Sequence, residues 1–225
     1  LLVNEQKVVG VRTAPAGLKR DGQPGGTFMP ATDISAQVVV LSEGTRGSLT
    51  QAYLDWQNIQ SKYSQVYALG VKEVWKVKKA PDYIAHTLGW PLPKSAFGGS
   101  FMYPLADDLI SIGLVAGLDY RQANLDVHLA LQHLKTHPLF KDVLAGGECI
   151  EWGAKTIPEG GYHAIPEQLC GDGLMMTGDA AGFVNVPALK GIHYAMLSGI
   201  FAARSIFAAL KQKNTSKDAL MSYDK

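Results

Sequence analysis

Cysteine is scarce. Only Cys149 and Cys170 occur in 225 residues; their spacing fits neither a zinc site nor an iron–sulfur motif, and two thiols cannot ligate a four-cysteine cluster. They read as ordinary reduced thiols, which points to a cytoplasm-facing location. An excess of charge of one sign is also lacking. Lys and Arg number 21 against 20 Asp and Glu, a net charge of +1. A polyanion binder carries a basic excess, so nucleic acid is excluded as a main partner. No apolar run is long and unbroken enough to span a bilayer, although attachment at a membrane surface stays open. No secretory leader is present, and the chain opens Leu1-Leu2-Val3 without an initiator Met, so it reads as a piece of a longer polypeptide. Missing too are a GxxxxGKS/T phosphate loop, a Ser-His-Asp set with a nucleophile elbow, and paired carboxylates in a cleft.

What is present supports a folded core. Hydrophobic residues make up 47% and charged residues 18%, which is no disorder signature. Lys7 to Thr13 alternates Val8, Val9 and Val11 with polar residues and reads as a strand. A Gly/Pro turn at Gly22 to Gly26 follows. Ile34 to Leu41 ends in four apolar residues, the pattern of a strand buried on both faces as in a parallel sheet. Leu49 to Gln60 can form a helix. From Leu69 the period is two: Leu69, Val71, Trp75 and Val77 on one face, Lys72, Lys76 and Lys78 on the other. Further strands are expected at Tyr83 to Gly89, Gly99 to Tyr103 and Leu109 to Val115, giving an antiparallel sheet with one polar face. Asn124 is expected to cap a helix carrying Leu125, Leu129, Leu131 and Leu134, which His137-Pro138 stops or kinks. Leu174-Met175-Met176-Thr177 is another buried strand. After Pro187 a long helix is expected from about Ala188 to Leu210, packing through the small residues Ala195, Gly199 and Ala203. His193 and Arg204 speak against its crossing a membrane. This order places an antiparallel insert, residues 51–154, inside a dinucleotide-type α/β domain made of 1–50 and 155–225.

Three stretches could carry chemistry. The first is Leu174 to Phe183. Gly178 lets backbone approach a ligand, Asp179 at the strand end can accept hydrogen bonds from sugar-chain hydroxyls, and the helix start near Lys190-Gly191-Ile192 offers unpaired N–H groups and a positive dipole end. That end suits the N1–C2=O edge of a reduced flavin. The second is the strand ending Ser42-Glu43-Gly44-Thr45-Arg46-Gly47, either the support of a cofactor's adenosine end or an ordinary strand-to-helix turn. The third is Gly89-Trp90-Pro91-Leu92 through Phe97-Gly98-Gly99-Ser100-Phe101. Twin glycines among aromatics either let a planar ring lie on bare backbone or mark a β-bulge or tight turn with aromatic packing. His133 and His137 stand four apart, as metal ligands do on a helix, without a third ligand or an intervening Glu. Lys76-Val77-Lys78-Lys79 is either a solvated strand face or a contact to anionic lipid.

Taken in order, Gly10-Val11-Arg12-Thr13, Ser42 to Gly47, His86-Thr87-Leu88-Gly89-Trp90-Pro91-Leu92, Phe97 to Phe101, Gly117-Leu118-Asp119-Tyr120, Glu159-Gly160-Gly161, Gly182-Phe183-Val184-Asn185-Val186-Pro187 and Lys190-Gly191-Ile192-His193 resemble the electron-transfer-flavoprotein:ubiquinone oxidoreductase family over nearly the whole chain. The resemblance implies a mixed α/β (α+β) fold: a para-hydroxybenzoate-hydroxylase-like FAD-domain portion with an inserted antiparallel-sheet ubiquinone-binding domain. It implies FAD and a 4Fe-4S cluster in the complete enzyme, electron transfer flavoprotein and ubiquinone as partners, and peripheral attachment to a bacterial cytoplasmic or mitochondrial inner membrane. It places Gly44, Gly178, Asp179, Gly182, Lys190 and Gly191 at the flavin, and Gly98 and Gly99 against the quinone ring. Two departures accompany it: no GxGxxG follows a first strand, and no four-cysteine module follows Leu210. Related readings are a flavin-dependent hydroxylase, a geranylgeranyl-reductase-like enzyme, or a piece that binds no cofactor.

Overall fold

The computed structural model describes residues 1–224. The chain forms two compact units, Leu1–Ser64 with Gly160–Lys225, and Gln65–Glu159. The division falls at 64/65 and 159/160, outside the expected 50/51 and 154/155. Tyr53 explains the first shift, since it is buried in the same core as Val8, Leu41 and Leu174 and so ties its helix to the first unit.

The first unit opens with a hairpin, β1 (Leu2–Asn4) and β2 (Lys7–Arg12). A second hairpin follows, β3 (Ala16–Leu18) and β4 (Pro24–Met29), which turns at residues 20–22; of the expected turn Gly22 to Gly26, the part from Pro24 onward lies in β4. β5 (Asp33–Ser35) then pairs with β2, and β6 (Val39–Leu41) follows. The expected single strand over Ile34 to Leu41 is thus two strands in two sheets, and it is not buried on both faces, since Val40 is exposed. α1 (Ser48–Trp56) is the helix expected after Leu49, shortened because Asn58 turns into the left-handed region.

The second unit is a five-stranded antiparallel sheet of β7 (Tyr67–Lys76), β8 (Ala85–Leu88), β9 (Gly98–Ala106), β10 (Leu109–Gly117) and β11 (Glu148–Pro158), in the order β11-β7-β10-β9-β8. Period-two alternation places Ile110, Ile112, Leu114 and Ala116 on one face, opposite Trp75, Glu73, Val71 and Leu69 of β7. Against this face lie α2 (Val127–Leu134) and α3 (Pro138–Leu144), through Leu131, Leu134 and Phe140. Asp126 rather than Asn124 caps α2, its carboxylate accepting from the Leu129 amide at 3.0 Å. His137 ends the approach to α3 as its cap, Nδ1 accepting from the Leu139 amide.

One buried ion pair fixes α2 to the sheet. Glu73 accepts hydrogen bonds from Trp75 Nε1 at 2.6 Å, Gln132 Nε2 at 2.9 Å and Lys135 Nζ at 2.7 Å. Burial pushes the Glu73 carboxyl up, but the hydrogen bonds from Lys135, Gln132 and Trp75 outweigh it and hold the pKa below its ordinary value.

The chain returns to the first unit with β12 (Cys170–Gly171), β13 (Leu174–Met176), α4 (Ile192–Lys211) and α5 (Lys217–Leu220). β13 runs parallel to β6, pairing Leu174 with Val39 and Met176 with Leu41. α4 starts four residues later than expected. Leu189 sits at a φ of 54° and Asn185 and Lys190 exchange two backbone hydrogen bonds, so residues 185–190 form a closed turn before the helix begins. α4 packs through Ser198, Ala202, Ser205 and Ala209; Gly199 and Ala203, expected in the packed stripe, are exposed. The buried residues follow the 3.6-residue helical period and so select a neighbouring face of the helix.

Candidate functional site

In the first unit, the ends of β6 and β13 lie side by side, as their parallel register requires. The Thr177 amide donates to Leu41 O at 3.0 Å, and the Ser42 and Thr177 hydroxyls are hydrogen-bonded at 2.6 Å. The two strand ends singled out in the sequence, Ser42-Glu43-Gly44 and Thr177-Gly178-Asp179, therefore share one sheet edge.

Each stretch is then bent sharply by glycine. Gly178 adopts a φ of +59° and Gly182 one of +80°, bounding a single 3-10 turn over Gly178–Ala181. The buried Gly178 amide donates to Ser198 Oγ at 2.9 Å, and that hydroxyl donates to Ala195 O at 2.9 Å. Thus a serine on α4 holds the Gly178 turn against the helix. Ser198→Ala leaves a buried N–H without its acceptor. The expected loss is about 1–3 kcal/mol, measurable as a lower urea midpoint than that of the parent chain.

Gly191 is the residue immediately before α4, and no side chain caps the helix there. A Cβ built on Gly191 would lie 3.5 Å from Val184 Cγ2 and 3.7 Å from Asp179 Oδ1. Asp179, Gly182 and Gly191 thus converge at the positive end of a 20-residue helix. Lys190 is joined to this cluster by its backbone, and its side chain is exposed. Gly44, at a φ of +75°, has open space where a Cβ would be. Such an arrangement can accept hydroxyl donors at Asp179 and offer backbone N–H groups to an anionic ring edge, which fits the flavin and sugar-chain end of FAD. No glycine fingerprint for the pyrophosphate is among these residues.

Glu43 was missed as an individual residue in the sequence. Its carboxylate accepts from the Leu49 amide at 3.1 Å and from the Thr50 amide and hydroxyl at 2.7 and 2.8 Å, capping α1. A carboxylate reaching forward over Gly47 follows no short capping spacing, so no sequence signal announced it.

In the second unit, Gly98 and Gly99 begin β9, with Gly98 opposite Ala116 and Gly99 opposite both Val115 and Leu88. No bulge interrupts the register there; the β9–β10 irregularity is at Leu109/Ile110. The Gly89 amide donates to Gly98 O at 3.0 Å. Leu88 and Phe97 beside the glycines are exposed, so an apolar rim borders this end of the sheet. The Cβ position of Gly98 is bounded by Val115 O and Leu92 Cδ1 and that of Gly99 by Thr87 O, so the side-chain space at both glycines is filled by the paired strands and Leu92.

A metal site is not formed by the pair His133 and His137: among the described residues no group of three or more His, Cys, Asp or Glu side chains could hold a metal ion. Cys149 is exposed in the second unit and Cys170 buried in the first, a donor set that does not fit a four-iron cluster.

Residues 67–157 match the family described as "ETF-QO, ubiquinone-binding", a span lying within the second unit. The chain is 41% identical over 212 residues to the mitochondrial electron transfer flavoprotein-ubiquinone oxidoreductase of Arabidopsis thaliana, an alignment covering 92% of this chain and 33% of that protein. It spans about a third of the length of the curated relatives it matches. Among solved structures, a geranylgeranyl bacteriochlorophyll reductase-like protein from Thermoplasma acidophilum superposes with a TM-score of 0.73 at 18% identity, over 99% of this chain and 51% of that one. The myxobacterial chondrochloren halogenase, an FAD-dependent halogenase, superposes with a TM-score of 0.65 at 21% identity, over 99% and 48%. These two likenesses establish a shared mixed α/β fold.

Proposed function

Because the chain belongs to the electron transfer flavoprotein–ubiquinone oxidoreductase family, we propose that it forms the quinone-reducing heart of such an oxidoreductase, with the second unit as the ubiquinone-binding domain and the first as part of the FAD domain. The observation that carries this reading is the match of residues 67–157 to the ubiquinone-binding family, on a stretch that folds as a compact unit of its own. Gly98 and Gly99 are the proposed quinone contacts. Gly44, Gly178, Asp179, Gly182, Lys190 and Gly191 are the proposed contacts to the flavin end of FAD, supported for the last five by their grouping at the start of α4 and for Gly44 by its place just beyond the end of β6, which pairs with β13. When bound, FAD would supply the electron-carrying chemistry, and the residues of this chain orient its ring and sugar chain.

Electron transfer flavoprotein is the proposed electron donor and the surface of a quinone-bearing membrane the proposed location, as the dissolved state of the quinone in lipid requires. The pyrophosphate cradle and the ligands of a 4Fe-4S cluster fall to sequence other than this chain. Replacing the matching segment of the Arabidopsis relative by these 225 residues tests the whole reading. The hybrid should bind FAD and reduce ubiquinone with electrons from reduced electron transfer flavoprotein. A folded, flavin-loaded hybrid that passes no electrons to quinone would overturn it.

A further inference from the structure

The histidine pair that forms no metal site has a different occupation. His133, near the end of α2, places its ring 4.9 Å from the Trp90 ring, and His137, before α3, places its ring 5.2 Å from the same indole. Trp90 thus sits against two imidazoles presented by the helical layer, while its own backbone belongs to the turn joining β8 to the twin-glycine strand.

That turn is coupled directly to Gly98. Its first residue, Gly89, donates its amide to Gly98 O at 3.0 Å, and its last, Leu92, donates its amide back to Gly89 O at 2.9 Å. Leu92 is buried, and its Cδ1 would lie 2.6 Å from a Cβ on Gly98. The carbonyl of Gly98 is thus held by residue 89, and the space against its α-carbon is bounded by Leu92 together with Val115 O of β10. Within that turn Trp90 is exposed, as are His133 and His137, and it reaches the helices through the two histidine rings.

We propose that Trp90, clasped by His133 and His137, is a positioning residue for the quinone subsite: the clasp fixes the Gly89–Leu92 turn, and the turn fixes the backbone at Gly98 and Gly99. The inference rests on the reading of the twin glycines as the quinone contact and adds the residues that hold them. Ring contacts of this kind are individually modest, and two on one indole together correspond to roughly a tenfold change in a binding constant.

The test is binding of a short-tailed, water-soluble ubiquinone to the 225-residue chain, by titration calorimetry, beside exchange of the Gly89 amide. Trp90→Ala and the double change His133→Ala with His137→Ala should each weaken binding about tenfold and speed Gly89 exchange, while amides in the centre of β7 and β10 stay protected. Trp90→Phe and His133→Phe keep a ring in place and should bind within about threefold of the parent, a difference that general loss of stability would not produce. Parent-like affinity in Trp90→Ala, with the parent binding normally, overturns the clasp and leaves the quinone reading intact. Equal weakening in Trp90→Ala and Trp90→Phe also overturns it. A parent chain that binds no ubiquinone removes the quinone reading and the clasp with it.

Discussion

Lys135→Met is expected to destabilise the second unit by about 3–5 kcal/mol, since it removes one partner of a buried ion pair and strands the other. The side chains of Lys135 and Glu73 are 14% and 6% exposed, so water cannot replace the lost cation at Glu73. Gln132 and Trp75 would still donate to the carboxylate, but neither carries charge. Lys135 also lies 4.8 Å from the centre of the Trp75 ring, and that contact disappears with the ammonium. Exchange of the β7 and α2 amides against urea reads the effect where it arises. Protonation gives the same weakness its pH dependence. The folded-state pKa of Glu73 is lowered, so the stability it contributes is complete above the ordinary carboxylate range and is lost as pH falls through the lowered folded value. Glu73→Gln should flatten that acid limb of the stability curve. An unfolding midpoint that declines with acid equally in parent and variant would assign the limb to other carboxylates.

Gly98→Ala should cost about 2–5 kcal/mol, combining left-handed backbone strain with overpacking. Gly98 holds a φ of +152°, and a Cβ there would fall 2.1 Å from Val115 O and 2.6 Å from Leu92 Cδ1. Backbone atoms of a paired strand cannot retreat as a side chain can. Gly89→Ala is the contrasting case, with a φ of +80° and nothing within 4 Å of its Cβ position; it should cost about 1–2 kcal/mol, the backbone penalty alone. Thermal unfolding of the two variants side by side checks the ranking, and a Gly98→Ala chain as stable as Gly89→Ala would refute the backbone clash. The same geometry governs how functional data are read. Gly99 is as tightly placed, its Cβ position lying 2.0 Å from Thr87 O. Loss of quinone binding on substituting either glycine therefore follows from damage to strand pairing as readily as from damage to a ring contact, and amide exchange across the β9–β10 pairing in the same variants separates the two.

Much of the second unit was legible because its signals are local. Alternating polarity gave β7, with Leu69, Val71 and Trp75 on one face; Glu73 falls on that same face as a lone acid in an apolar row, and it was not singled out. Its partner Lys135 is 62 residues away, so no local pattern names the pair. The flavin-side strands were found by their apolar runs and by Gly-Asp, whereas their parallel pairing spans 135 residues between Ser42 and Thr177 and rested on resemblance. The start of α4 was misplaced because Leu189 adopts a left-handed conformation that an ordinary leucine does not advertise. Its packing face was misread because small residues occupy two adjacent stripes, and only the neighbours of the helix decide which one is buried.

Those two stripes have a practical sequel. With Ser198, Ala202 and Ala209 turned inward, Ile200, Phe201 and Phe207 stand on the outside of α4, while Val40 is exposed on β6, the end strand of its sheet. Handled by itself, the polypeptide offers an oily flank and an open strand margin to detergents, to long-tailed quinones and to its own copies. Uptake of a greasy ligand will then contain a non-saturating background, and only the saturable fraction in dilute, detergent-free solution counts as occupancy of a defined pocket.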